Sequence, residues 1–512
     1  MQKSSVTTRL AAFLFLLQFL IIGGIYFLRL DGKVAEIPAV QQRIEAIRQD
    51  RNLEAVWTKF GKDQKVWGYV DRHSILPGDS FNIMLSTLPG APAYVGLIQI
   101  SRLTSKDGDV HREWMWEGSK DTIKAQDLSN TMASIGADWS ANYIVATNDK
   151  WTSGYYVIDV IGADGKRQDN VASIIVKPTK RSGDILAKIS TNTFQAYNPW
   201  GGHSMYTSKL FGGKGVMVSF DRPTYPGFED YETYFVAWLE KYAQATGAEV
   251  AYIGDFDLHE DPTLMDGYKL FVSQGHDEYW TKEMFDAVEN RIFKQGKNVA
   301  FLGANTAYWQ VRYADLNMAP GGRSLGRQMV AYKEQTDPIV ARFAKEEDAL
   351  PFVTNMFRWK NRRPETMLLG VAYQSYFEPG DGLAPRYDYK VVDSGLPFFD
   401  GVGWKAGDII KGVVGYEWDN RDPDGDGKRL WDPTKSANAN VPADRIKVLF
   451  SGETKDVDGK KGLAEAVYWE SPAGAKIFSS GSIRWNWGLS KDGVTTPAFQ
   501  KFNANLFDYL RK

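Results

Sequence analysis

The chain has 512 residues, and its 61 Lys and Arg nearly balance its 63 Asp and Glu. A formal net charge of -2 excludes a global basic field for nucleic acid. The absence of cysteine excludes disulfides, thiolate metal sites, iron–sulfur clusters and a thiol nucleophile.

Leu10 to Leu28 reads LAAFLFLLQFLIIGGIYFL. Gln18 is its one strongly polar side chain, and the run is long enough to cross a bilayer core. Lys3 and Arg9 precede it, and no small-x-small cleavage site follows cleanly. The expectation is a single-pass signal anchor at residues 10–28, with residues 1–9 as a cytoplasmic tip. Residues 29–62 then read as a polar helical stalk. The remaining domains would face the periplasm or cell exterior.

From residue 63 to 180 short alternating runs appear, among them VWGYV, SFNIMLST, YYVIDVIG and ASIIVKP. Turn signals such as KDGD and ADGK separate them. This pattern predicts an antiparallel, immunoglobulin-like β-sandwich. From 181 to 512 the rhythm changes. Apolar strand candidates (DILAKIST, AEVAYIGDFD, YKLFVSQG, KNVAFLGAN) alternate with helical stretches such as YETYFVAWLEKYAQATG and TKEMFDAVENRIFKQG. That alternation predicts an α/β fold with a doubly wound sheet of the flavodoxin or glutamine-amidotransferase type. In such sheets chemistry gathers at the carboxyl ends of the strands.

Four segments carry candidate chemistry. In GHDEYW, His276 and Glu278 are two apart and share a face of an extended chain, so they could bind a metal or act as acid and base. Asp277 and Glu278 could equally cap the following helix. TNTFQAYNPWGGHSMY, from Thr191 to Tyr206, is a polar-aromatic loop with two adjacent glycines. In LGANTAYWQVRY, Asn305 closely follows a strand and could hold a substrate carbonyl or simply form a turn. In VGYEWDNRDPDGDGK, Glu417 ends a strand, and the acidic run after it lacks the twelfth-position Glu of a calcium loop and reads as a solvated turn. No G-x-S-x-G, Walker A or dinucleotide fingerprint is present.

Together these pieces resemble the large subunit of N,N-dimethylformamidase and its relatives. The resemblance rests on NTFQAYNPWGG, VSFDRP, FVAWLE, DLHEDP, GHDEYW, LGANTAYWQVR, VGYEWD and GSIRWNWGLS, in that order. It implies a mononuclear ferric ion, Fe(III), held by two tyrosines and one glutamate: Tyr156, with Tyr155 beside it, Tyr197 and Glu278. It places His276, Asn305 and Glu417 around the metal as catalytic groups. Phenolate and carboxylate are hard oxygen donors suited to a hard Lewis acid. The implied function is a membrane-anchored hydrolase cleaving a carbon–nitrogen amide bond. Its partners would be a small amide or an envelope component, with a small partner subunit or further copies of the chain. The alternative is a non-catalytic envelope-binding protein on the same scaffold.

Overall fold

The computed structural model describes residues 64–127, 133–206, 215–223, 230–314, 326–359, 363–377, 386–423 and 445–512. The expected anchor at 10–28, the stalk at 29–62 and most of the acidic run after Asp422 lie outside these residues. Among the described residues no helix is long and apolar enough to cross a membrane.

The first eight strands are β1 (Trp67–Val70), β2 (Ser74–Ile75), β3 (Ser80–Ser86), β4 (Tyr94–Lys106), β5 (Asp109–Ile123), β6 (Tyr143–Ala146), β7 (Gly154–Gly162) and β8 (Arg167–Val176). They form a three-stranded sheet, β1-β3-β6, and a five-stranded sheet, β2-β8-β7-β4-β5. Alternate residues of both sheets share one core: Phe81, Ile83 and Leu85 from one, Ile98, Ile100, Tyr156, Ile158 and Val160 from the other. The period-2 pattern of the strands creates this common inner face.

The rest of the chain supplies β9 (Gly183–Ile189), β10 (Met217–Ser219), β11 (Val250–Gly254), β12 (Tyr268–Gly275), β13 (Tyr279–Thr281), β14 (Asn298–Gly303), β15 (Trp309–Tyr313) and β16 (Gln328–Val330). After them come β17 (Ala372–Tyr376), β18 (Tyr387–Val391), β19 (Ile409–Val414), β20 (Glu417–Asn420), β21 (Lys447–Lys455), β22 (Lys461–Glu470) and β23 (Lys476–Ser479). The longer helices are α1 (Thr191–Tyr197), α2 (Asp230–Thr246), α3 (Asp255–Glu260), α4 (Lys282–Phe293) and α5 (Pro497–Leu510).

Nine of these strands make one sheet in the order β11-β9-β12-β14-β23-β22-β21-β18-β19. The first five are parallel and the last four antiparallel. This corrects the expectation of an α/β protein with a doubly wound sheet, since the structure is mostly β-sheet with few helices. The error has a physical source. Apolar runs such as IKVLFSGET and AEAVYWES carry no mark of strand direction, and they follow one another as hairpin neighbours without a crossover helix.

Both faces of the parallel half are covered. Ile185, Ala187, Leu270 and Val272 meet Phe235 and Leu239 of α2 and Phe499 and Phe502 of α5. Leu186, Phe271, Val299 and Phe301 point the other way, onto Met284, Phe285 and Val288 of α4. Each such fully buried Val, Leu, Ile, Phe or Met side chain contributes about 1.5–3 kcal/mol of hydrophobic stabilisation. Two smaller sheets, β10-β16-β15-β13 and β17-β20, sit beyond the carboxyl ends of the parallel strands. They carry Tyr279 and Glu417 into the same region.

Candidate active site

Gly275 ends β12 directly opposite Gly303, which ends β14. A Cβ on Gly303 would lie 2.3 Å from the Gly275 carbonyl oxygen, so the strands approach this closely only without side chains. Gly275 itself has φ +72, and a Cβ there would meet Glu232 Oε1 at 2.3 Å. The chain turns at this point and delivers His276, Asp277 and Glu278 in succession.

The three side chains diverge. Asp277 turns back into the sheet, where its Oδ1 lies 2.6 Å from Lys188 Nζ and its Oδ2 accepts from Ser273 Oγ at 2.5 Å. Lys188 also pairs with Asp255, and all three groups are fully buried. Neither acid caps α4: Thr281 does so, its hydroxyl accepting from the Met284 amide at 3.3 Å. The capping alternative therefore falls away.

Glu278 faces an interior cluster of polar groups. Its amide donates to Thr193 Oγ1 at 3.0 Å, and its carbonyl accepts from the amides of Tyr308 and Trp309. Its carboxylate accepts the hydroxyl of Tyr197 at 2.7 Å on Oε2 and that of Tyr206 at 2.6 Å on Oε1. The two phenol rings lie 4.3 Å apart, centre to centre. His276 Nε2 stands 3.3 Å from Glu278 Oε2 and 3.3 Å from Glu417 Oε2. Its Nδ1 is 3.3 Å from the Tyr416 hydroxyl. Asn305, at φ +57, donates from Nδ2 to Glu417 Oε2 at 3.2 Å, while its amide is anchored on Asp419 Oδ1 at 2.8 Å. Its buried Oδ1 has no hydrogen-bond partner among the described residues.

Burial and charge set the protonation pattern. Burial pushes the phenols of Tyr197 and Tyr206 well up, and the Glu278 carboxylate pushes them further, so both hydroxyls keep their protons. Burial would lower the His276 pKa, but Glu417 and Glu278 outweigh it and lift it to about 10. Burial would raise Glu278, but the His276 hydrogen bond and the Lys333 charge hold it below the usual carboxylate range. The cluster is thus an imidazolium between two carboxylates, with two phenols on one of them.

Five of the six residues singled out in the sequence meet here: Tyr197, His276, Glu278, Asn305 and Glu417. Tyr156 does not. It lies in the core of the sandwich, where its hydroxyl donates to the Thr152 carbonyl at 2.7 Å and its ring stacks on Trp151. Its neighbour Tyr155 donates to Ser173 Oγ at 3.1 Å. The second phenol on Glu278 is instead Tyr206, the last residue of the NPWGGHSMY loop. Sequence reasoning missed it because no spacing rule links a tyrosine at the far end of a loop to a carboxylate 72 positions away.

The loop is held in place by Arg222, fully buried, which donates to the carbonyls of Trp200 at 2.8 Å, Gln195 at 2.5 Å and Ser219 at 2.8 Å. Trp200 packs edge-on against Trp139, 5.4 Å away, in a cluster with Trp67, Tyr69 and Met84. The sandwich thus reaches the site by bracing this loop rather than through Tyr156.

Tyr197, Tyr206 and Glu278 make an all-oxygen donor set around one carboxylate. Among the described residues no group of three or more His, Cys, Asp and Glu could hold a metal ion, so a metal at this place would depend on the phenols.

Comparison with known proteins bears on the same region. No curated protein matches the chain by sequence. Among solved structures, a cycloisomaltooligosaccharide glucanotransferase of Paenibacillus sp., crystallised with cycloisomaltoheptaose, is similar at 9% identity. The match covers 49% of this chain and 55% of that one with a TM-score of 0.17, too low to carry an argument. The family model for the C-terminal part of N,N-dimethylformamidase beta subunit-like proteins matches residues 98–499, which include every residue of the cluster. The chain belongs to the N,N-dimethylformamidase beta subunit-like family.

Proposed function

We propose that the chain hydrolyses a carbon–nitrogen amide bond of a small molecule, with a mononuclear ferric ion held by Tyr197, Tyr206 and Glu278. The observation that carries this reading is the pair of phenol hydroxyls converging on one buried carboxylate, at 2.7 and 2.6 Å. The donor chemistry fits the ion: three hard oxygens, each able to be anionic. Bound there, the ion would supply Lewis acidity, polarising an amide carbonyl and acidifying water.

The other residues have work of their own. His276 holds a proton at Nε2 between Glu278 and Glu417. That proton is the natural one to reach the departing amine, which cannot leave as an anion. Glu417 fixes the imidazolium and is itself fixed by Asn305 Nδ2. Asn305 Oδ1 is left to accept a hydrogen bond from an amide N–H or a water.

The test is metal content, visible spectrum and hydrolysis of a panel of small carboxamides by the purified chain. One iron per chain, a tyrosinate charge-transfer band and amine release are expected. A chain that takes up no iron after reconstitution and hydrolyses no amide would leave the non-catalytic binding reading in its place.

A further inference from the structure

Lys333 lies in a stretch that no motif singles out, just after β16. It is 2% exposed. Its backbone has φ +54, a left-handed conformation that is strained for a non-glycine residue. Two bonds to one short segment hold it there: the Lys333 amide donates to the Thr354 carbonyl at 2.8 Å, and its carbonyl accepts from Asn355 Nδ2.

The side chain runs behind the phenols. Its Nζ is 2.6 Å from the Tyr279 hydroxyl and 3.6 Å from the centre of the Tyr206 ring. The rings of Trp309 and Tyr279 lie 4.8 and 5.0 Å away. A buried ammonium is expensive unless its surroundings are electron-rich. Here the Tyr206 and Trp309 rings, the Tyr279 hydroxyl and the field of Glu278 provide for it. The strained backbone and the buried charge both serve to put a cation against the ring whose hydroxyl touches Glu278.

We infer that Lys333 is a positioning residue of the phenol–carboxylate centre: its ammonium fixes the Tyr206 ring and sets the electrostatic field at the phenol oxygen that would be shared with a ferric ion. The inference rests on the iron reading above. A lysine that merely packs would change stability and leave the electronic state of a bound ion alone. A lysine acting as a fixed charge changes affinity and spectrum together.

The experiment compares the full chain with its Lys333→Met and Lys333→Arg variants, titrated with ferric nitrilotriacetate and followed by the charge-transfer band. Lys333→Met is expected to bind ferric ion roughly 10–100-fold more weakly, the usual effect of losing a group that supports a metal ligand. Its band should move to longer wavelength, because removing a nearby cation raises the phenolate donor level. Lys333→Arg, which keeps the charge, should recover part of both. If circular dichroism shows Lys333→Met unfolded, Lys333→Gln takes its place as the uncharged variant. A folded uncharged variant with wild-type affinity and an unmoved band overturns the inference and leaves the iron reading standing. A wild-type chain that binds no ferric ion removes both.

Discussion

Glu278 and Tyr206 stand 72 positions apart in the chain, and the phenol donates to the carboxylate at 2.6 Å. Tyr206, rather than Tyr156, is thus the second phenol on Glu278, and the Tyr156 hydroxyl donates to the Thr152 carbonyl instead. The two tyrosines separate cleanly by mutation. Tyr206→Phe should abolish iron binding and the visible band, with the fold intact by circular dichroism. Tyr156→Phe should retain both and lose about 1 kcal/mol of stability, the typical cost of one hydrogen bond. Metal analysis and urea denaturation of both variants check this. Full iron in Tyr206→Phe would take Tyr206 out of the ligand set.

Lys188 pairs with both Asp255 and Asp277, and all three are fully buried. Removing it would strand two carboxylates in the sheet. Lys188→Met should cost about 3–5 kcal/mol, the range for breaking a buried ion pair on one side. Adding Asp255→Asn to that variant should restore part of the loss, because one stranded charge is then gone. Denaturant midpoints of the single and double variants give the comparison. A double variant less stable than Lys188→Met alone would contradict the account.

Much of the site was legible because it obeys a rule about strands. His276, Glu278 and Asn305 fall where β12 and β14 end, and an apolar run closed by polar residues marks such ends in sequence. Glu417 was visible for a similar reason, standing at a boundary between apolar and acidic segments. Tyr206, Tyr416 and Lys333 were not legible. Each reaches the cluster from a loop, and tertiary packing alone sets where such residues point. The sheet was half legible: strand–helix alternation marks the parallel strands, but nothing in an apolar run says whether its neighbour returns by a helix or a hairpin. The antiparallel half, β22-β21-β18-β19, was lost for that reason.

Asp419 anchors the Asn305 amide, and burial, the largest influence on it, lifts its pKa to about 8. In an unfolded chain an aspartate titrates near 3.9. The folded state thus binds this proton more tightly, and its stability contribution falls as pH rises from roughly 4 to 8. Each unit of that difference is worth about 1.4 kcal/mol. Asp419→Asn keeps an oxygen for the Asn305 amide and carries no charge. It should be more stable than wild type at pH 8, with the difference vanishing near pH 4. Urea unfolding at both values measures it, and equal stability at pH 8 would show that Asp419 is ionised at little cost.

Arg222 makes the last case, because its charge has no carboxylate beside it among the described residues. It is fully buried, and burial pulls its pKa down to about 9. Its donors go to Gln195, Trp200 and Ser219, whose carbonyls flank the two phenol-bearing segments. A guanidinium can serve several carbonyls at once because its donors are splayed in a plane, and an ammonium on a shorter reach cannot. Arg222→Lys should therefore leave two or more carbonyls unpaired, at about 1–3 kcal/mol each. The loss should appear as a lower denaturation midpoint. It should also weaken iron binding, because the carbonyls that Arg222 gathers, at Gln195, Trp200 and Ser219, bracket Tyr197 and Tyr206 along the chain. A variant with lowered stability and unchanged iron affinity would mean that the loop holds the phenols in place without its arginine.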